Sequence, residues 1–377
     1  MKKILDRIVN KLIAILSDYK NQREVESYVE GIRASYEKLV NKTELTKEQE
    51  KEIQGFYTKL LGHPVPLDWH RYFTARTGGY SKYYLPTSEY KINIVGRLNV
   101  YPLKRAYTDK NISDLILPKE IQPKIYLKNM NGYFYFDQQA VSREEALHLC
   151  QNIGNVIIKP SLTARGKGVK RIVVKDGKVV SDNILLSQVF DDYKTDYLIE
   201  ELICQHPDMA SLNHSSLNTI RIMTYRSDME IVVLYTVIRI GRKGQVIDNE
   251  SAGGISTVIN SDGTLGRFAY GAPGIDKIEY TDSNLKLDGF RIPSYNQAIE
   301  MVKKCHLQLP FFDLIAWDIA IRENGSPVLI EFNMTPDLSQ SANGPAFGDY
   351  TEEILSKAMR KNNTYSELGK KMLWKRL

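Results

Sequence analysis

The sequence is poor in the features that would assign it to several large classes. It has only three cysteines in 377 residues, Cys150, Cys204 and Cys305, and they show neither a CxxC spacing nor a disulfide framework. A reducing, cytoplasmic compartment is therefore expected. Long apolar runs are missing too. The N-terminus opens on Met1, Lys2 and Lys3, but Asp6, Arg7 and Lys11 interrupt its apolar residues, so that only residues 12–16 run unbroken. That is too short for a signal-peptide core or a membrane span. No block of one charge sign occurs. The 51 lysines and arginines and 45 acids leave a net charge of +6, and both signs are interspersed. This argues against a nucleic-acid surface and fits an anionic small substrate. There is no internal repeat and no low-complexity tract. What remains, 42% hydrophobic and 25% charged residues, is enough to bury more than one core, so two or three domains are expected.

Residues 1 to about 62 read as helices. Ile4, Leu5, Ile8, Val9, Leu12 and Ile13 fall on one helical stripe, which Val25, Tyr28, Val29, Ile32 and Tyr36 continue. A core-facing amphipathic helix is favoured over one lying on a membrane surface. Gly62, Pro64 and Pro66 break the pattern, and the aromatic-rich stretch 69–90, with Gly78-Gly79, reads as irregular but packed. From about residue 124 the pattern becomes short strands with helices between them: strands at 125–127, 133–136 and 156–159, a capped helix at 142–151, and a hairpin 168–180 turning at Asp176-Gly177. Further strands are expected at 196–203, 219–225, 231–240 and 258–260, and a helix at 296–306.

The strongest chemical signal lies in residues 317–333, WDIAIRENGSPVLIEFN. Two apolar runs flank Asn324-Gly325, the preferred pair for a two-residue type I′ turn, and that register sets Asp318 opposite Glu331. Asn333, two residues further on, shares their face. Facing like charges destabilise a hairpin unless something compensates. Two carboxylates and an amide are the oxygen-rich set a hard divalent cation such as Mg²⁺ prefers.

Upstream, 156–160 reads as a buried strand carrying Lys159, followed by the loop SLTARGKG and another strand. Glycines let a backbone approach phosphate oxygens, and Lys159 and Lys167 can neutralise them. A P-loop would instead pass from strand to helix and end in Gly-Lys-Ser/Thr. In 197–203, YLIEELI, a strand turns into a hinge whose backbone can bond a purine edge, with Asp208 following to take ribose hydroxyls. Arg221 interrupts an otherwise apolar strand, and a guanidinium there suits a terminal phosphate or acyl phosphate.

Lysine strand, Gly-rich loop between strands, Glu-Glu hinge, arginine strand and Asp…Glu-Phe-Asn hairpin, in that order, resemble the ATP-grasp superfamily. The stretches IIKPSLTARGKGVK, IEELICQHPDMASLNHSSLNTIRI, DNESAGGISTVI and DIAIRENGSPVLIEFN look like its sugar-transfer-associated members, over roughly residues 90 to 350. The resemblance implies an α+β ATP-grasp fold of two subdomains, 91–198 and 199–377, preceded by a largely helical region, 1–90. It implies ATP and Mg²⁺ as cofactors. Lys110, Lys159, Arg165, Gly166, Lys167 and Gly168 match nucleotide-phosphate positions. Glu200, Glu201 and Ile203 match the adenine hinge, Asp208 the ribose acid, and Asp318, Glu331 and Asn333 the metal ligands. Arg221 and Asn249 look like phosphate- or intermediate-binding positions.

The implied reaction is a ligation in which ATP phosphorylates a small-molecule carboxylate and an amine attacks the acyl phosphate. An amino acid and a sugar or polysaccharide precursor are plausible partners. The alternatives are a kinase acting on a hydroxyl and a silent nucleotide-binding protein. The helical N-terminal region departs from the α/β substrate domain that opens most superfamily members, so the acceptor does not carry over. His70, His206 and His214 read as structural histidines.

Overall fold

The computed structural model describes residues 2–163, 166–228, 230–244, 253–274 and 277–361, with side chains from residue 19 onward. The chain forms two compact units, one of residues 1–99, 273–276 and 337–377, the other of residues 100–272 and 277–336.

The first unit is helical. Helix Lys2–Glu37 carries the expected stripe, and Tyr28, Val29, Ile32 and Tyr36 pack on Trp69, Tyr72, Phe73 and Tyr84. The earlier part of that stripe, Ile4 to Ile13, lies outside the described side chains. Helix Lys47–Leu61 opens on a reciprocal capping box: the Gln49 N–H donates to Thr46 Oγ1 at 3.2 Å and the Thr46 N–H donates to Gln49 Oε1 at 2.9 Å. The stretch expected to be irregular is instead helical over Asp68–Thr77. Gly78, at φ 82°, is the left-handed cap of that helix, and its N–H donates to Thr74 O at 2.9 Å. The glycine pair thus ends a helix rather than marking a coil. His70 is wholly buried, bonded to Lys82 O at 3.1 Å, and burial pushes its pKa down to about 4, as suits a structural neutral imidazole.

The second unit holds two antiparallel sheets. The first contains β1 (Ile125–Met130), β2 (Tyr133–Phe136), β3 (Gln139–Val141), β4 (Gly154–Pro160), β5 (Lys170–Lys175), β6 (Lys178–Val179), β7 (Ile184–Leu185) and β8 (Tyr197–Glu201), in the order β3-β2-β1-β8-β4-β5-β6-β7. The second contains β9 (Thr219–Arg226), β10 (Ile231–Ile240), β11 (Ile255–Val258), β12 (Leu314–Ile321) and β13 (Pro327–Asn333), in the order β11-β10-β9-β12-β13. The strand expected at 258–260 thus lies slightly earlier, as β11.

Alternation along each strand divides each sheet into an apolar and a polar face. Val156, Ile158, Tyr197 and Ile199 of the first sheet meet Ala146, Cys150, Val189 and Phe190 of helices Arg143–Cys150 and Leu186–Tyr193. That sends Lys159 and Glu200 to the other face. In the second sheet Ile220, Ile222, Ile238, Trp317 and Ile319 bury against Ala298, Val302 and Cys305 of helix Tyr295–Leu307. Each such isoleucine contributes roughly 1.5–3 kcal/mol. Arg221, Arg239 and Asp318 fall on the opposite face. A buried polar chain runs through this core: Trp317 Nε1 donates to Thr224 Oγ1 at 2.8 Å, which lies 2.7 Å from His306 Nδ1, while His306 Nε2 lies 2.9 Å from Phe312 O. A carbonyl can only accept, so Nε2 carries the proton and Nδ1 accepts from Thr224.

The two glycine turns behave differently. Asp176 and Gly177, at φ 49° and 71°, form the expected two-residue turn, with Lys175 paired to Lys178. At 322–326 the loop has three residues instead. The Arg322 N–H donates to Ser326 O at 2.9 Å, Gly325 alone is left-handed at φ 82°, and Asn324 uses its side chain, accepting from Ser326 N at 3.0 Å. Pairing therefore starts one residue out of step, Ile321 against Pro327, until a bulge at Ile330 brings Asp318 opposite Glu331. The facing acids were expected from a type I′ turn; they arise from two one-residue offsets that cancel.

Candidate active site

Lys159 projects from β4 opposite Leu198, and Glu200 lies two residues further along the adjacent β8, on the same face. Lys159 Nζ donates to Glu200 Oε1 in a close ion pair whose side chains are only 7% and 9% exposed. Burying two charges costs several kcal/mol each and is recovered only while both are present. Lys159 thus has a counterion from the protein itself, without any nucleotide.

Lys110 sits on the short turn Lys110–Ile112, where the Asp109 carboxylate caps Asn111 N at 3.0 Å. Lys110 Nζ donates to Thr163 O at 2.8 Å, holding the entry of the Gly-rich loop, and lies 3.8 Å from Glu331 Oε2 of the second sheet. Burial lowers the Lys110 pKa; Glu331 opposes that shift and Lys159 adds to it.

The Gly-rich loop joins β4 to β5, an antiparallel pair. Gly166 and Gly168 have φ of 71° and 77°. A Cβ on Gly168 would lie 2.8 Å from Pro160 Cγ, so the loop folds back on its own strand in a way only glycine allows. Tyr193 donates to Gly168 O at 2.6 Å and Thr163 Oγ1 to Lys167 O at 2.8 Å. Lys167 is exposed. Arg165 lies outside the described residues, as does Asn249.

Along the hinge, Glu200 faces Lys159, whereas Glu201 faces away and is held by Arg322, with Oε2 3.1 Å from Nη2. Burial opposes ionisation of Glu201, but Arg322 and the Lys124 N–H outweigh it and lower its pKa. Ile203 packs with Ala320 and Val328. The Asp208 side chain is 63% exposed, with Oδ2 3.6 Å from His206 Nδ1.

The acidic cluster has a feature the sequence reading missed. Asp318, nearly buried, accepts from Arg221 Nε and Nη2, both at 2.8 Å, and from Arg239 Nη1 at 3.2 Å. Repulsion between Asp318 and Glu331 is therefore already offset by two guanidinium groups, a correction to the view that the pair itself demands a cation. Burial alone would raise the Asp318 pKa; Arg221 and then Arg239 reverse this and hold it at about 2. Arg239 could have been found by the signal that marked Arg221, a lone arginine in an apolar strand, IVVLYTVIRI.

A hard cation still fits. A carboxylate offers about four acceptor positions, and the arginines occupy three of those on Asp318. One remains on Oδ1. Glu331 is 31% exposed at its side chain, and Asn333 Nδ2 lies 3.5 Å from its Oε1. Two carboxylates and an amide oxygen would give Mg²⁺ part of its shell and leave positions for water and phosphate. Among the described residues no three or more His, Cys, Asp or Glu side chains are grouped to hold a metal.

A model of the family described as sugar-transfer associated ATP-grasp matches residues 90–354, and this chain belongs to that family. No curated protein matches. Among solved structures the chain is similar to a D-alanine–D-alanine ligase from Bacillus anthracis, at 14% identity over 70% of this chain and 69% of that one, TM-score 0.38. It is also similar to an L-amino acid ligase from Bacillus licheniformis, at 13% identity over 70% and 49%, TM-score 0.38. The described residues contain no helix long and apolar enough to cross a membrane.

Proposed function

We propose that this chain is an ATP- and Mg²⁺-dependent ligase that activates a small-molecule carboxylate as an acyl phosphate and couples it to an amine. One observation carries this reading: Lys110, ordered by the strand-to-strand loop, comes within 3.8 Å of Glu331, the partner of Asp318 across the β12–β13 hairpin. A lysine of the turn ahead of β1 and a carboxylate of the second sheet are thus neighbours, which supports a shared site for nucleotide phosphates and a metal.

In this reading Lys110 and Lys159 take nucleotide phosphates, and the loop Gly166, Lys167, Gly168, with Arg165, covers them. Glu200, Glu201 and Ile203 frame the adenine, and Asp208 takes the ribose. Asp318, Glu331 and Asn333 hold Mg²⁺, which when bound would screen the β- and γ-phosphates. Arg221 stays charged because Asp318 outweighs its burial, and so can stabilise the transferring phosphoryl group or the acyl phosphate beside it. Asn249 is assigned to the same intermediate. The protein's contribution is mainly position and charge, as phosphoryl transfer requires. A cytoplasmic enzyme modifying a sugar or polysaccharide precursor is the setting we favour, on the strength of the family's description.

The test is ADP release against pools of amino acids, other carboxylates and amino sugars, with the mass of the product determined. An amide formed with ADP and phosphate supports the ligase; a stable phosphate ester would make the protein a kinase. Absence of Mg-ATP binding in calorimetry would overturn both.

A further inference from the structure

A second cleft, of about 390 Å³, opens between the β1–β2 face and the segment that leads into β1. Its size is within the range of small-molecule sites. None of Lys110, Lys159, Glu331 or Asp318 lines it, although Glu201 of the hinge does, and its assignment does not rest on the nucleotide reading.

Its lining includes a charged pair that is almost wholly buried. Lys128 Nζ lies 2.5 Å from Asp114 Oδ1, and the side chains are 7% and 9% exposed. Keeping such a pair out of water is expensive unless its remaining hydrogen-bonding capacity is met. Here it is not met by protein: among the described residues, Lys128 has two further N–H donors and Asp114 has Oδ2 without a hydrogen-bond partner. A ligand carboxylate would suit Lys128 and be repelled by Asp114, and an ammonium would do the reverse. The group that satisfies both is neutral and both donates and accepts, as a hydroxyl does. Tyr135 pairs directly with Lys128 across β1–β2, so its ring adjoins the pair on the same face and offers an apolar surface to C–H groups.

We infer that this cleft is a binding site for a neutral polyhydroxylated ring, with Lys128 and Asp114 bonding adjacent hydroxyls and Tyr135 lying against the ring. The site shares a wall with the hinge, because Glu201 and its partner Arg322 also line it.

The probes are the methyl glycosides of glucose, galactose and N-acetylglucosamine, each added to the full chain and read by saturation-transfer NMR. At least one should give a signal, which Tyr135→Ala abolishes while the melting temperature and Mg-ADP binding stay near wild type. The double variant Lys128→Gln/Asp114→Asn keeps the pair neutral and satisfied, and should weaken the signal at least tenfold. No signal from any of the three glycosides, or one of equal strength in both variants, overturns the inference. Binding of a free amino acid at this cleft in preference to the glycosides would overturn its chemical class.

Discussion

The two sheets of the second unit place charge on their polar faces in opposite ways. In the eight-stranded sheet Lys159 and Glu200 are each other's close partner, a pair of one cation and one anion almost closed to water. In the five-stranded sheet one carboxylate, Asp318, is shared by two guanidinium groups. The first arrangement is brittle, since loss of either member strands the other. The second is redundant, since loss of one arginine leaves Asp318 paired.

The comparison is broken most severely at Glu331, which lacks the arginine support of Asp318. Glu331→Gln should reduce ADP release by roughly a thousandfold or more, the scale of losing a key charge in a phosphoryl-transfer site. The melting temperature should barely change. Activity within tenfold of wild type would remove the residue from the metal set.

Brittleness itself is tested at the lysine pair. Lys159→Met should destabilise the protein by about 3–5 kcal/mol, because Glu200 is left buried and alone. Lys159→Met/Glu200→Gln should regain most of that stability yet still fail to bind ATP in calorimetry. If the single variant were as stable as wild type, the pair would be more open to water than its 7% and 9% exposures imply.

Acid should separate the sheets. Burial, helped by Arg226 and opposed by the Phe312 carbonyl, lowers the His306 pKa to about 4. The folded state therefore binds this proton less readily than the unfolded chain, whose histidine titrates near 6.5. Stability from this source is complete above about pH 6.5 and is lost as pH falls toward 4, by up to roughly 3 kcal/mol. Hydrogen exchange should thus rise in β9 and β12 before it does in β1 and β8, whose core contains no histidine among the described residues. Simultaneous loss of protection in both sheets would show that His306 does not govern the acid response.

The smallest effect is expected at the Gly-rich loop. Residues 162–168 should exchange more slowly with a non-hydrolysable ATP analogue and Mg²⁺, while Asp176-Gly177 changes little. Equal exchange in both states at saturating nucleotide would place the phosphates elsewhere.

Much of this was legible in the sequence, for identifiable reasons. The turn register put Asp318 opposite Glu331, and the apolar runs around Arg221 and before Lys159 marked both residues as candidates. The partners were harder to read, because they depend on contacts between strands distant in sequence: Glu200 to Lys159, Arg239 to Asp318, Arg322 to Glu201. Glycine was ambiguous in a different way. Gly78, Gly177 and Gly325 are all left-handed, yet one caps a helix, one completes a two-residue turn and one closes a three-residue loop. The dipeptides alone do not distinguish these outcomes, since the flanking hydrogen bonds decide them.

The bulge at Ile330 has a consequence for how the acidic face tolerates change. Which side of a sheet a residue faces is a matter of parity: one inserted residue reverses it and a second restores it. In the β12–β13 hairpin the loop supplies the first inversion and Ile330 the second, so the parity of Glu331 and Asn333 is fixed by two separate stretches of sequence. Tightening the loop to two residues would turn Glu331 away from Asp318, unless the bulge were removed in the same step.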